Sequence, residues 1–96
     1  MILTEVYKTL EANGMVTSKT NFSEEWLGMD GSFFRGEPRQ SINALGYCIN
    51  KLRRYSKILS ETNGPEAIPG LAAKLSNLSD RCLEELLDLA DKGEIS

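Results

Sequence analysis

Six basic side chains fall between positions 35 and 57, namely Arg35, Arg39, Lys51, Arg53, Arg54 and Lys57, against a single acid, Glu37. The stretch therefore carries a local charge of +5 inside a chain whose net charge is −3. Clustered ammonium and guanidinium groups neutralise phosphates and displace condensed counterions, which gives non-specific affinity for nucleic acid that falls steeply with salt. The flanks have the opposite sign, −3 over residues 1–34 and −5 over residues 58–96. An acidic total does not decide against DNA, because association depends on the field at the contact face.

Other reactive types are present without the company that catalysis needs. The chain has no histidine, which removes the commonest general base and the usual activator of a nucleophilic serine or cysteine. Carboxylates pair at Glu24-Glu25 and Glu84-Glu85, with Asp88 one turn on, but acid/base or metal chemistry needs them to converge in a cleft. On an outer helix face they are solubilising charge. Cys48 and Cys82 fall on apolar helix faces and read as buried, reduced thiols packing as small hydrophobes. Neither a Gly-x-Ser-x-Gly elbow nor a Gly-x-x-x-x-Gly-Lys phosphate loop occurs. The sequence predicts no enzyme, no catalytic residue, no cofactor and no metal site.

The elements that must position these residues are all helical. Leu3, Val6, Tyr7 and Leu10 share one face of a first helix over about residues 3–12, stopped by Asn13-Gly14. Thr17-Ser18 offers an N-cap hydroxyl for a second helix over about 19–27, which buries Phe22, Trp26 and Leu27 before Gly28 closes it. A short third helix is expected from Asp30, whose carboxylate can cap the following amides, with Phe33 and Phe34 on it; Gly36 and Pro38 end it. Adjacent helical residues cannot both point inward, so one of the two phenylalanines should be the more exposed.

Ser41 caps a long fourth helix to about residue 60 with Ile42, Leu45, Cys48, Ile49, Leu52, Tyr55 and Leu59 on its apolar face. Tyr47, Asn50, Lys51, Arg53, Arg54 and Lys57 spread over the outward half. Residues 61–70 form a Pro/Gly-rich linker. A fifth helix over about 71–92 carries the stripe Leu71, Leu75, Leu78, Cys82, Leu86 and Leu89, widened by Leu83, Leu87 and Ala90, with Asp80, Glu84, Glu85, Asp88 and Asp91 outside. The fold class is thus all-α, a single-domain compact bundle of about five helices.

Residues 17–36 resemble the helix-turn-helix of small bacterial and phage repressors. In that family the bracing helix often ends in Leu-Gly plus an apolar residue, and the recognition helix starts two or three residues later. Leu27-Gly28-Met29 followed by Asp30-Gly31-Ser32 fits that outline over about 20 of the 96 residues. A related layout, Trp26-Leu27-Gly28, a polar turn, Phe33-Phe34 and a helix after Pro38, is similar to small bacterial helix-turn-helix-like proteins. The resemblance implies packing roles for Leu27, Met29 and Phe33 or Phe34, and exposed recognition positions at Gly31, Ser32 and Arg35. The chain departs from the pattern in two ways. Glu24 stands where the family has a small residue, with Ser23 fitting only if the helix is one residue longer, and Gly36 and Pro38 leave the recognition helix very short.

Two functions from different classes follow. The first is a small protein that binds double-stranded DNA, a transcriptional regulator of a bacterium, phage or mobile element. Gly31, Ser32, Arg35, Arg39, Lys51, Arg53, Arg54 and Lys57 would contact the nucleic acid, and the C-terminal helix would form a homodimer. The second is an acidic interaction module, an adaptor or inhibitor that meets a protein partner through Glu84, Asp88 and Asp91. The N-terminus lacks a basic region and small-residue cleavage site, and no apolar run approaches the ~20 residues of a membrane helix. A cytoplasmic protein away from membranes is expected.

Overall fold

Apolar residues recurring every three or four positions drive the helices of this computed structural model, which describes residues 2–34, 42–61 and 70–92. Ile2, Leu3, Val6 and Leu10 form the buried face of α1 (Ile2–Ala12). The chain leaves α1 through Gly14 at φ 72° and enters α2 (Lys19–Trp26) at Ser18, whose Oγ accepts from the Asn21 amide at 3.0 Å. Two long helices follow, α3 (Ile42–Glu61) and α4 (Leu71–Asp91). No described residue lies in a strand, and the Cα radius of gyration, 13.4 Å, is close to the ~12–13 Å of a compact domain of this length.

Four helices, not five, make up the described chain. The third helix expected from Asp30 is a single turn over residues 31–34. It begins as a helix would, with the Phe33 amide donating to the Asp30 carbonyl at 2.9 Å, but goes no further. Asp30 Oδ1 accepts from the Ser32 amide at 2.8 Å, as the capping argument requires, but it also takes the Ser32 hydroxyl at 2.9 Å. The backbone bond from Ser32 leads, with the hydroxyl second, in holding the Asp30 carboxyl below its usual range. The Phe34 amide donates instead to Ser23 Oγ of α2 at 3.0 Å, and that hydroxyl donates to the Lys19 carbonyl at 3.0 Å. A buried serine thus takes the amide that would otherwise carry the helix onward. The expected end of that helix at Gly36 and Pro38, the Ser41 cap, nearly all of the 61–70 linker and the Gly93 stop lie outside the described residues.

The largest helix interface is α3 against α4, and Leu45, Cys48 and Leu52 of the one and Leu71, Leu75, Leu78 and Cys82 of the other belong to a single buried core. Cys48 and Cys82 are free, buried thiols; a hydrogen bond between them, reinforced by burial, pushes Cys48 well above the ordinary thiol range. At the far end of the pair Ser56 Oγ donates to the Ala72 carbonyl at 2.7 Å. An aromatic trio joins α1, α2 and the turn: Phe22 meets Phe34 edge-on with ring centroids 4.9 Å apart, and Tyr7 lies 5.4 Å from each. Phe34 is buried and Phe33 is half-exposed, the division expected of neighbours. Arg81 of α4 closes the fold onto α1 with a two-pronged bond to Glu5, at 2.7 and 2.6 Å. Leu86 and Leu89 are half-buried, whereas Leu87 and Ala90 stand in solvent and do not widen the α4 stripe.

Candidate nucleic-acid interface

The outer face of α3 is built by the same period that buries its inner face. With Ala44, Leu45, Cys48, Ile49 and Leu52 turned to the core, positions 43, 47, 50, 54 and 57 lie on the opposite side. Tyr47, Asn50, Arg53, Arg54 and Lys57 are exposed and Lys51 is half-buried. Glu61, at the last residue, is the only acid on α3.

Each cation there has a distinct setting. Arg53 reaches Asp80 of α4 at 3.7 Å, with both side chains more than half exposed (52% and 69%); such a pair contributes little in water. Lys51 Nζ sits 6.0 Å from the Trp26 ring centroid and 5.7 Å from that of Tyr55, at the range where a ring quadrupole attracts an ammonium. Those two rings are themselves 4.9 Å apart, so a ring from α2 and one from α3 jointly hold the lysine ammonium. Arg54 and Lys57 make no ion pair with any described residue. The acids of α4 therefore do not cover this face. Arg35 and Arg39 lie outside the described residues.

Tyr47 and Asn50, which the charge count passed over, belong to the same surface. With Lys51 and Arg54 they line a recess of about 170 Å³. The tyrosine ring lies directly on Gly28, where φ is +64° and an added Cβ would come within 2.6 Å of it. The signal for these two residues was available in their spacing on one helix face: Tyr47 lies four residues from Lys51 and seven from Arg54, and Asn50 lies four from Arg54.

The helix-turn-helix positions are arranged differently from the resemblance. Gly31 is half-buried instead of exposed, because the turn folds back onto α2; a Cβ there would meet Thr20 Cγ2 at 2.8 Å. Ser32 is exposed, but its hydroxyl is engaged by Asp30. Phe22, Trp26 and Phe34 are core residues and offer no platform for bases.

On α4, Glu84, Asp88 and Asp91 are exposed, and Asp88 meets Lys92 at 3.1 Å. Leu87, 54% exposed, stands among them. Two copies meeting on this surface would set those carboxylates against their duplicates, a repulsion that an α4 homodimer would have to offset. Among the described residues no three His, Cys, Asp or Glu side chains gather as a metal site requires, and no helix is long and apolar enough to cross a membrane.

Residues 3–94 match the family model described as family of unknown function DUF6626. The chain belongs to DUF6626. No curated protein and no solved structure matches this DUF6626 member. The match spans the four helices but for Ile2, so the α3 surface and its recess lie within the family's own span.

Proposed function

We propose that this protein binds double-stranded DNA through its phosphate backbone, using the outer face of α3. Lys51, Arg53, Arg54 and Lys57 are the contacting cations, and Arg35 and Arg39 extend the set from the preceding segment. The observation that carries this reading is the open state of that face beside a strongly acidic helix. Only Arg53 pairs with α4, loosely, while Arg54 and Lys57 have no ionic partner among the described residues.

In this reading the protein is a small DNA-associated regulator that positions itself by backbone contact. Turn 31–34 is not the reading element, since its polar groups are engaged within the chain. Contacts to phosphate fix register and orientation but carry no sequence information directly, so weak preference among duplexes is expected. Titration of random duplex DNA at two salt concentrations tests the proposal. Four phosphate contacts predict a slope of about −3.6 in log affinity against log salt, or roughly a hundredfold loss between about 50 and 200 mM; six predict more than a thousandfold.

One observation favours a second reading. Leu87 stands exposed among Glu84, Asp88 and Asp91, an apolar anchor ringed by acids that suits a basic protein surface. Replacing those three carboxylates by lysine should abolish capture of such a partner and leave DNA binding intact.

A further inference from the structure

The recess on α3 has a composition that selects its ligand. Tyr47, Asn50, Lys51 and Arg54 line it, and every one of them carries a hydrogen-bond donor: a phenol, a carboxamide, an ammonium and a guanidinium. Two of the four are cations and none is an acid. Its volume, about 170 Å³, exceeds the ~150 Å³ of a cavity that admits benzene, so one tetrahedral oxyanion fits. A donor-rich, acid-free concavity of that size complements a group made of acceptor oxygens.

Two of the four side chains are held in place before any ligand arrives. Lys51 Nζ rests over the rings of Trp26 and Tyr55 at 6.0 and 5.7 Å, and the Tyr47 ring is packed onto the Gly28 backbone. Pre-positioning lowers the ordering cost that a ligand must otherwise overcome. Arg54, with no ionic partner among the described residues, supplies the fork that grips two oxygens of one phosphate at once.

We propose that this recess seats a single phosphate group, with Arg54 and Lys51 providing charge and Asn50 and Tyr47 the neutral donors. The inference deepens the α3 reading and rests on it for the source of the phosphate, a backbone diester of DNA. It distinguishes Lys51 and Arg54, which hold one defined phosphate, from Arg53 and Lys57, which act through diffuse charge.

The test is ¹⁵N-resolved NMR of the full chain, titrated first with inorganic phosphate and then with a short random duplex, with sodium chloride at equal ionic strength as reference. Phosphate is expected to shift the amides of residues 47–54 saturably while chloride does not. Asn50→Ala and Arg54→Met should each weaken that response on the order of tenfold, whereas Lys57→Met should leave it unchanged. Asn50 is exposed and Arg54 projects into solvent, so these variants fold. Shifts spread equally over Lys8, Lys74 and the α3 cations, without saturation, would overturn the seat. If phosphate saturates the recess but the duplex does not bind, the seat stands, its phosphate comes from a free or monoester source, and the DNA reading fails. If the duplex binds with the predicted salt slope but Asn50→Ala and Arg54→Met weaken it no more than Lys57→Met does, the DNA reading stands and the seat fails.

Discussion

Replacing Gly28 by alanine should be among the most damaging one-carbon changes available in this chain, for two separable reasons. Gly28 sits at φ +64°, and a Cβ there would lie 2.6, 2.8 and 3.0 Å from Cδ2, Cε2 and Cγ of Tyr47. The left-handed conformation costs an L-residue about 1–2 kcal/mol, partly offset by the ~0.4–1 kcal/mol that a stiffer unfolded chain returns. Because Cγ is among the clashing atoms, spinning the ring about its own axis cannot relieve the overlap, and the whole side chain must swing away. Overpacking of that kind costs roughly 1–3 kcal/mol.

Gly14 is the control, since it has φ +72° with nothing within 4 Å of its would-be Cβ. Gly14→Ala should therefore cost only about 0.5–1.5 kcal/mol, the backbone part, and Gly28→Ala about 2–4 kcal/mol in all. At roughly 4–8 °C per kcal/mol for a domain of this size, the melting temperature should drop by about 8–32 °C for Gly28→Ala. Circular-dichroism melts of the two variants, repeated with Tyr47→Ala added, complete a double-mutant cycle. In the Tyr47→Ala background the Gly28→Ala penalty should shrink to that of Gly14→Ala. Equal penalties at Gly14 and Gly28, or a Gly28 penalty indifferent to Tyr47, would refute the packing of the tyrosine on the α2 exit.

Three further perturbations probe the rest of the fold. Ser23→Ala removes the buried acceptor of the Phe34 amide and should cost about 1–3 kcal/mol, the penalty of an orphaned buried donor; hydrogen exchange at Phe34 should lose its protection, and retained protection would count against the bond. Trp26→Ala, at a residue 4% exposed, should cost on the order of 3–5 kcal/mol, read as an early denaturation midpoint. Arg81, first by hydrogen bond and then by charge, holds Glu5 below its usual value of 4.5. The stability from that pair is therefore fully present above the unfolded pKa and is lost as pH falls through the folded one. Melting temperatures of wild type and Glu5→Gln should differ at pH 7 and converge in acid; a gap that persists below the folded pKa would contradict the assignment.

Where apolar spacing is regular, the sequence and the fold agree closely. The periods through α1, α3 and α4 placed those helices within a residue or two, and Ser18, Gly14 and Gly28 acted as the cap and stops their chemistry implies. The third helix failed for a reason invisible to local rules. Asp30 did bond the Ser32 amide as a cap would, but the Phe34 amide was taken by Ser23, eleven residues back, whose hydroxyl matters only once α2 and the turn are in contact. The Glu5–Arg81 pair spans 76 residues and leaves no mark in any window.

The basic cluster was legible as composition, since nothing but counting was needed. Its exposure was not, because that depends on where the α4 carboxylates come to lie. Lys51 reads from its helical position as an outward charge; its ammonium instead sits over the rings of Trp26 and Tyr55, a placement decided by α2 packing on α3. Tyr47 and Asn50 carried a spacing signal without a charge to draw attention to it.

The central claim is phosphate contact by the outer face of α3, and the most direct measurement is the affinity of the full chain for random duplex DNA at about 50 and 200 mM salt. The account predicts a loss of at least a hundredfold between the two, and a slope reduced by about one for each of Arg54→Ala and Lys57→Ala. Absence of binding at the lower salt, or binding with a slope untouched by those substitutions, would contradict it.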